Sequence, residues 1–195
     1  MAGRPRTFDS ETALEAAIDC FWLNGYHATT TRDLAAGMGM TGASMYNAFG
    51  DKRALFLAAL ARYLDRSTRR KIAALDQAAD PVAALRAFFD GAIAASLADR
   101  RGCLLINSAV ELARTDPDLD TEIRNGLQEI RDGFQRSILK ARRMGRVAGS
   151  RDTAGLANIL LAAIISIRVL SRTSQDKKML HDIADAALAD LRGTH

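Results

Sequence analysis

Apolar residues recur along this chain every three to four positions and almost nowhere alternate, so the pattern is that of helices. Leu14, Ala17, Ile18 and Phe21 stand at i, i+3, i+4 and i+7, one face of a first helix that starts near Asp9 and stops at Asn24-Gly25. Two short helical segments follow. One turns Leu34, Ala35 and Met38 inward, with Thr31 as its candidate N-cap and Gly39 as its break; the other runs from Thr41 to Gly50. Asp51 caps a longer helix over about 51–75, on which Leu55, Phe56, Ala59, Leu60 and Tyr63 or Leu64 keep the period. Asp80-Pro81 and Asp116-Pro117 are two helix starts of one type, an Asp cap with proline at the first helical position. The first leads into Leu85, Phe88, Phe89 and Ile93. The second leads into a stripe of Leu119, Ile123, Leu127, Ile130, Phe134, Ile138 and Ala141. Between them, residues 102–113 form a short apolar helix. Residues 152–172 are apolar nearly all round, and 175–191 carry one face of Leu180, Ile183, Ala184, Ala187, Leu188 and Leu191. The whole predicts an all-α protein of about nine helices.

Composition sharpens this less than the pattern does. With 195 residues and 48% apolar content, one or two domains with a sizeable core are affordable. The net charge of +4 is mildly basic, yet residues 1–61 hold five Lys/Arg (Arg4, Arg6, Arg32, Lys52, Arg53) against six Asp/Glu. Bulk charge therefore locates no nucleic-acid face, and any DNA contact must rest on placed cations and helix N-termini. Two cysteines, Cys20 and Cys103, make no disulfide framework, and Cys20 reads as a small core hydrophobe. No signal peptide opens the chain. The longest apolar run, Ala154 to Ile167, is interrupted by Asn158 and is short of a membrane span, so a cytoplasmic protein with no membrane partner is expected. His27, His181 and His195 stand at no metal-ligand spacing with a cysteine, and neither a metal nor a cofactor is expected.

The densest chemistry lies in Thr29 to Lys52. A helix-like segment, a Gly-bearing turn and a second short helix follow one another, and the second opens on Thr41, Gly42, Ala43 and Ser44, then Tyr46 and Asn47. Small and polar residues suit a helix whose first turns enter a DNA groove better than one that starts in a core. Gly42 lets the backbone approach, Ala43 can touch a thymine methyl, and Ser44 and Asn47 can bond base edges. Arg32 can fork onto a guanine or clamp a phosphate. Thr31, Tyr46 and Lys52 would hold phosphates, Lys52 from the positive start of its helix, and Arg4 and Arg6 of the basic arm would add minor-groove or phosphate contacts. Phe49 reads as a core aromatic; the competing account puts Tyr46 in the core as well and makes the rest a solvated surface. Gly37-x-Gly39-x-x-Gly42 fits a dinucleotide-binding string, but a helix precedes it where that motif requires a strand.

Thr30-Thr31-Arg32-x-Leu34-Ala35, Gly39-Met40-Thr41 and Tyr46-x-x-Phe49-x-x-Lys52 together resemble the signature of the tetracycline-repressor (TetR) family of bacterial regulators, over about residues 8–60. Gly37, Met38 and Ala43 depart from its usual pattern. The resemblance implies a helix-turn-helix, three-helix DNA-binding domain over 1–52 and a C-terminal ligand-sensing and dimerisation domain over 53–195. It also implies a homodimer through the helices at about 152–172 and 175–191; burial of that pair inside one monomer core is the alternative. The expected function is a signal-responsive regulator, a repressor on near-palindromic double-stranded operator DNA, released by a small-molecule effector or thiol modification.

No ligand residue carries over by motif. From the residues alone, Cys103, Asn107 and Glu111 at i, i+4 and i+8 can share one stripe, and Phe88, Phe89 and Phe134 can supply aromatic walls. Otherwise Asn107 and Glu111 satisfy helix ends and Cys103 is a packed thiol. Cys103 follows Arg101-Gly102 at a helix start, where cation and dipole favour a reactive thiolate. A helical ligand-binding protein without DNA function is the other reading. A helical enzyme is remote, because no G-x-S-x-G, P-loop or H-E-x-x-H string is present.

Overall fold

The computed structural model describes residues 10–112, 116–147, 152–189 and 191, and among them the regular elements are all helices. In the first compact unit, Met1–Tyr63, these are α1 (Ser10–Asn24), α2 (Thr31–Gly37), α3 (Gly42–Phe49) and α4 (Lys52–Tyr63). The second unit, Leu64–His195, begins with a π-helical stretch, Leu64–Arg69, that continues the helical run, and then holds α5 (Arg70–Gln77), α6 (Pro81–Ala98), α7 (Leu104–Leu112), α8 (Pro117–Arg143), α9 (Thr153–Thr173) and α10 (Lys177–Ala189). With Lys52–Gln77 counted as one run there are nine helices among the described residues, in agreement with the periodicity.

The first unit is built on α1 and α4, which pack together and carry α2 and α3. Ala13, Ala17, Ile18 and Phe21 of α1 are buried with Leu34, Ala35, Met45, Leu55, Phe56, Ala59 and Leu60. The phase of α1 is therefore slightly rotated from the sequence reading, with Ala13 inside and Leu14 only half-buried. Phe21 meets Phe56 edge-on at 5.0 Å between centroids, and Tyr26 meets the same Phe56 ring at 5.0 Å. Trp22 stands edge-on to Tyr63 at 5.1 Å. The turn after α1 closes on Thr29, which is 1% exposed and whose hydroxyl donates to the Gly25 carbonyl at 2.5 Å.

The second unit is organised on α8, which packs against α5, α6, α7 and α9. Asp80, Asp116 and Asp152 cap α6, α8 and α9, each accepting from two backbone N–H groups. Two glycines give α8 its close neighbours. A methyl at Gly126 would stand 2.9 Å from Cδ1 of Leu105 and 3.3 Å from Cδ1 of Leu64, and one at Gly133 would stand 2.9 Å from Cγ2 of Ile72. Leucine's terminal methyls can rotate away, whereas the β-branched Ile72 is stiff at χ1. Gly133→Ala is therefore expected to lose about 1–3 kcal/mol of stability to overpacking, and Gly126→Ala less. Thermal melts of the two variants check the order, and a Gly133→Ala protein as stable as wild type would refute it.

Two helices, Pro81–Ala98 and Thr153–Thr173, are by length and composition long and apolar enough to cross a bilayer, more than the uninterrupted run in the sequence suggested. Both are bundle helices: α6 buries Leu85, Phe89, Ala92 and Ile93, and α9 buries Leu156, Ala157, Leu160, Ala163, Ile164 and Ile167 against α6, α7, α8 and α10. The packing of α9 inside its own unit thus accounts for much of its apolar circumference. It leaves Ile159, Ala162, Ser166 and Val169 exposed, at steps of three and four along one face.

Candidate nucleic-acid interface

The α2–turn–α3 segment is fixed by local hydrogen bonds before any long-range contact. The cap of α2 is Thr30 and not Thr31. The Thr30 hydroxyl accepts from the Asp33 N–H at 3.1 Å, and the Asp33 carboxylate accepts in return from the Thr30 N–H at 3.0 Å and from its hydroxyl at 2.6 Å. With Thr31 as the cap, the third helical residue would be Leu34, which has no group to return that bond. Thr31 is instead the first helical residue, half-buried. The bonds from Thr30 hold the Asp33 carboxyl below its ordinary pKa. This part of the cap is complete above that ordinary value and disappears as pH falls through the lower, folded-state one. Thr30→Ala is expected to cost about 1 kcal/mol, read as a lower melting temperature whose deficit shrinks in acid.

After α2 the chain turns on Gly39, whose φ of +64° lies in the left-handed region that favours glycine. Thr41 then caps α3: its hydroxyl accepts from the Ser44 N–H at 3.1 Å and lies 2.9 Å from the Ser44 hydroxyl. Of the eight residues of α3 only Met45 is buried, at 0% exposure. That anchor was not singled out from the sequence, where Phe49 was favoured; Phe49 is half-buried. With Met45 inward, Ala43, Ser44, Tyr46 and Asn47 are exposed, Tyr46 to 50%, and Gly42 is half-exposed with open space where a Cβ would lie.

The cations near this surface are in different states. Arg32 is exposed and makes no hydrogen bond or ion pair among the described residues. Lys52 is committed within the protein: its ammonium donates to the His27 carbonyl at 3.4 Å and sits 4.5 Å from the centroid of the Tyr26 ring. Arg4 and Arg6 lie outside the described residues. The acids that made the region look unfavourable are largely used internally. Glu11 and Glu15 both bond Arg62 at 3.0 Å, Asp33 closes the α2 cap, and Asp51 accepts from the Ala54 N–H at 2.7 Å. What remains outward on α2 and α3 is the Arg32 guanidinium, without a partner among the described residues, the Tyr46 ring and a set of small or short polar side chains. That surface suits a phosphate backbone and base edges.

In the second unit, Phe88 lines a cleft of about 280 Å³ between α5 and α6, with Lys71, Ala74, Leu75, Ala84, Ala87 and Gly91. Phe89 and Phe134, both at 0% exposure, lie behind it, stacked on each other with centroids 5.9 Å apart and edge-on to Phe88. Cys103, Asn107 and Glu111 do not line this cleft. Asn107 is a bracket, donating to the Arg101 carbonyl at 2.8 Å and accepting from Arg172 at 3.2 Å. Cys103 is 8% exposed just ahead of α7, so reagents reach it only if that packing opens. Glu111 is half-buried. No His/Cys/Asp/Glu group able to hold a metal ion occurs among the described residues.

Comparison with known proteins agrees with this arrangement in both units. The family profile described as bacterial regulatory proteins, tetR family, matches residues 13–59, and that of the tetracyclin repressor-like C-terminal domain matches residues 81–187. The chain is 30% identical to the HTH-type transcriptional regulator YezE of Bacillus subtilis (strain 168), over 97% of this chain and 99% of that protein. It is 29% identical to the HTH-type transcriptional repressor ComR of Escherichia coli (strain K12), over 95% and 90% of the respective lengths. Among solved structures, a cysteine mutant of the TetR family regulator CifR in complex with 26-bp operator DNA superposes with a TM-score of 0.86, at 27% identity, covering 95% of this chain and 98% of CifR.

Proposed function

Because the chain belongs to the tetR family of bacterial regulatory proteins, we propose that it is a cytoplasmic repressor that binds a near-palindromic operator as a homodimer and leaves it when an effector occupies the second unit. The observation that carries the DNA-binding half is the surface of α3, where a single buried residue, Met45, presents Gly42, Ala43, Ser44, Tyr46 and Asn47 outward. Ser44, Asn47 and Arg32 read base edges. Thr31, Tyr46 and Lys52 hold phosphates together with Arg4 and Arg6, and Lys52 does so only by sharing the charge it directs at Tyr26 and His27. Dimerisation uses the exposed α9 stripe of Ile159, Ala162, Ser166 and Val169, together with α10. Two α3 helices then meet successive major grooves about 34–36 Å apart. The effector weakens operator binding only as far as it prefers the protomer conformation whose spacing misfits.

Selection of bound fragments from a random DNA pool tests the reading. An enriched near-palindrome with half-sites one helical turn apart, or a multiple of that, is the expected result. Absence of any enriched sequence would leave a helical ligand-binding protein without DNA function.

A further inference from the structure

Lys71 lines the α5–α6 cleft as its one charged residue, among Ala74, Leu75, Ala84, Ala87, Phe88 and Gly91. It makes no hydrogen bond or ion pair among the described residues. The charge that acts on it most is that of another cation, Arg168. That guanidinium bonds the hydroxyl of fully buried Ser96 at 3.0 Å and makes no ion pair with a carboxylate among the described residues. Burial, and then the like charge of Arg168, push the Lys71 pKa down, while the Cys103 thiol acts weakly in the opposite sense. Lys71 is thus an exposed cation at the edge of an otherwise apolar cleft, with no carboxylate partner among the described residues, and an anion seated in the cleft would supply one. The rest of the wall is aliphatic or aromatic, and at Gly91 the space where a Cβ would lie is open.

We propose that the effector of this regulator is a small organic acid, whose carboxylate pairs with Lys71 while its apolar body fills the cleft against Phe88 and over Gly91. The proposal rests on the reading of the second unit as the signal-receiving part, and adds the chemical class of the signal. The cleft volume, about 280 Å³, lies at the low end of ligand pockets (roughly 300–1,000 Å³), so a short chain or a single ring is the right size.

Octanoate, 1-octanol and octylammonium have matched tails and differ in head charge, which makes them suitable probes for calorimetry on the full-length protein. Octanoate is expected to bind at least roughly tenfold more tightly than octanol, as befits a charge-assisted bond, and octylammonium least. Lys71→Gln, at a position exposed enough to fold normally, should bring octanoate down to octanol. Gly91→Leu, which fills open space on a helix, should remove both. Equal binding of octanoate and octanol, or octanoate binding unchanged in Lys71→Gln, overturns the proposal. Operator affinity of the same proteins is measured separately, without and with probe. If DNA is bound and an uncharged probe releases it, the regulator reading stands and the acid class fails. If octanoate binds through Lys71 but no DNA is ever bound, the site stands and the regulator reading fails.

Discussion

Arg32→Ala is expected to lower operator affinity about 10- to 100-fold per half-site lost, because a guanidinium forked on a guanine contributes about 1–3 kcal/mol of discrimination. The basis is positional. Arg32 is the one exposed cation of α2, it has no partner among the described residues, and the Thr30–Asp33 cap fixes the turn from which it projects. No hydrogen bond or ion pair among the described residues competes for it, in contrast to Lys52, which already serves the His27 carbonyl and the Tyr26 ring. Two outcomes separate its possible roles. If Arg32 reads a base, the variant tolerates substitution at one position of each half-site and leaves the others as selective as before. If it clamps a phosphate, affinity falls uniformly across sequences and the salt slope shrinks by about 1 per half-site. Binding of wild type and variant to an operator and its single-base variants, at two salt concentrations, decides between them. An Arg32→Ala protein that binds as tightly as wild type would remove Arg32 from the interface. Ser44→Ala and Asn47→Ala should then carry the specificity loss.

How much of this was legible in the sequence follows from the range of the forces involved. Capping is local, so Thr41, Asp51, Asp80 and Asp116 could be recognised from their own residue type and the two or three that follow, and each caps as expected. The cap of α2 was expected at Thr31 and lies instead on its neighbour Thr30, a residue of the same type. The returning carboxylate of Asp33 decides between them, a signal present in the spacing Thr30-x-x-Asp33 but easy to miss because Asp stands where Glu or Gln is usual. The positions that resisted are those set by partners distant in sequence. The inward choice of Met45 over Phe49 depends on where α1 and α4 stand. The role of Asn107 depends on Arg172, 65 residues later. The cleft at Lys71 needs α5 and α6 side by side before it exists at all. Charge counting failed for a related reason: Glu11 and Glu15 lose their outward effect only once Arg62, on α4, stands between them.

The second large effect concerns Gly37, a departure from the usual family pattern that sequence reasoning could treat only as a cost of about 0.5–1 kcal/mol relative to alanine. In the structure a Cβ at Gly37 would stand 2.7 Å from the Sγ of Cys20, which rests on α2 from α1 and whose S–H points at the Asp33 carbonyl 3.9 Å away. Burial, followed by the negative charges of Asp19 and Asp33, raises the Cys20 pKa, so the thiol keeps its proton and acts as a spacer between helices. Gly37 and Cys20 are therefore one feature, a large atom on α1 accepted by a missing one on α2. Gly37→Ala must turn the Cys20 Sγ out of its packed rotamer or push α2 away by roughly 1 Å to reach an ordinary contact distance, at an overpacking cost of about 1–3 kcal/mol that exceeds the helix-propensity gain. Because α2 carries Arg32 and is followed by α3, operator affinity should fall further than the stability change alone accounts for. Cys20→Ala removes the obstructing sulfur. In the double variant the added methyl has room and the propensity gain is kept, so Cys20→Ala/Gly37→Ala should melt above Gly37→Ala and recover most of the operator affinity. The coupling expected between the two sites is about 1–2 kcal/mol. Strictly additive melting shifts, or a Gly37→Ala protein that binds operator as wild type does, would show that α1 and α2 do not depend on this contact. Recovery in the double variant would establish that the unusual glycine is required by the cysteine seventeen residues before it, and that their fit sets the position of the recognition segment.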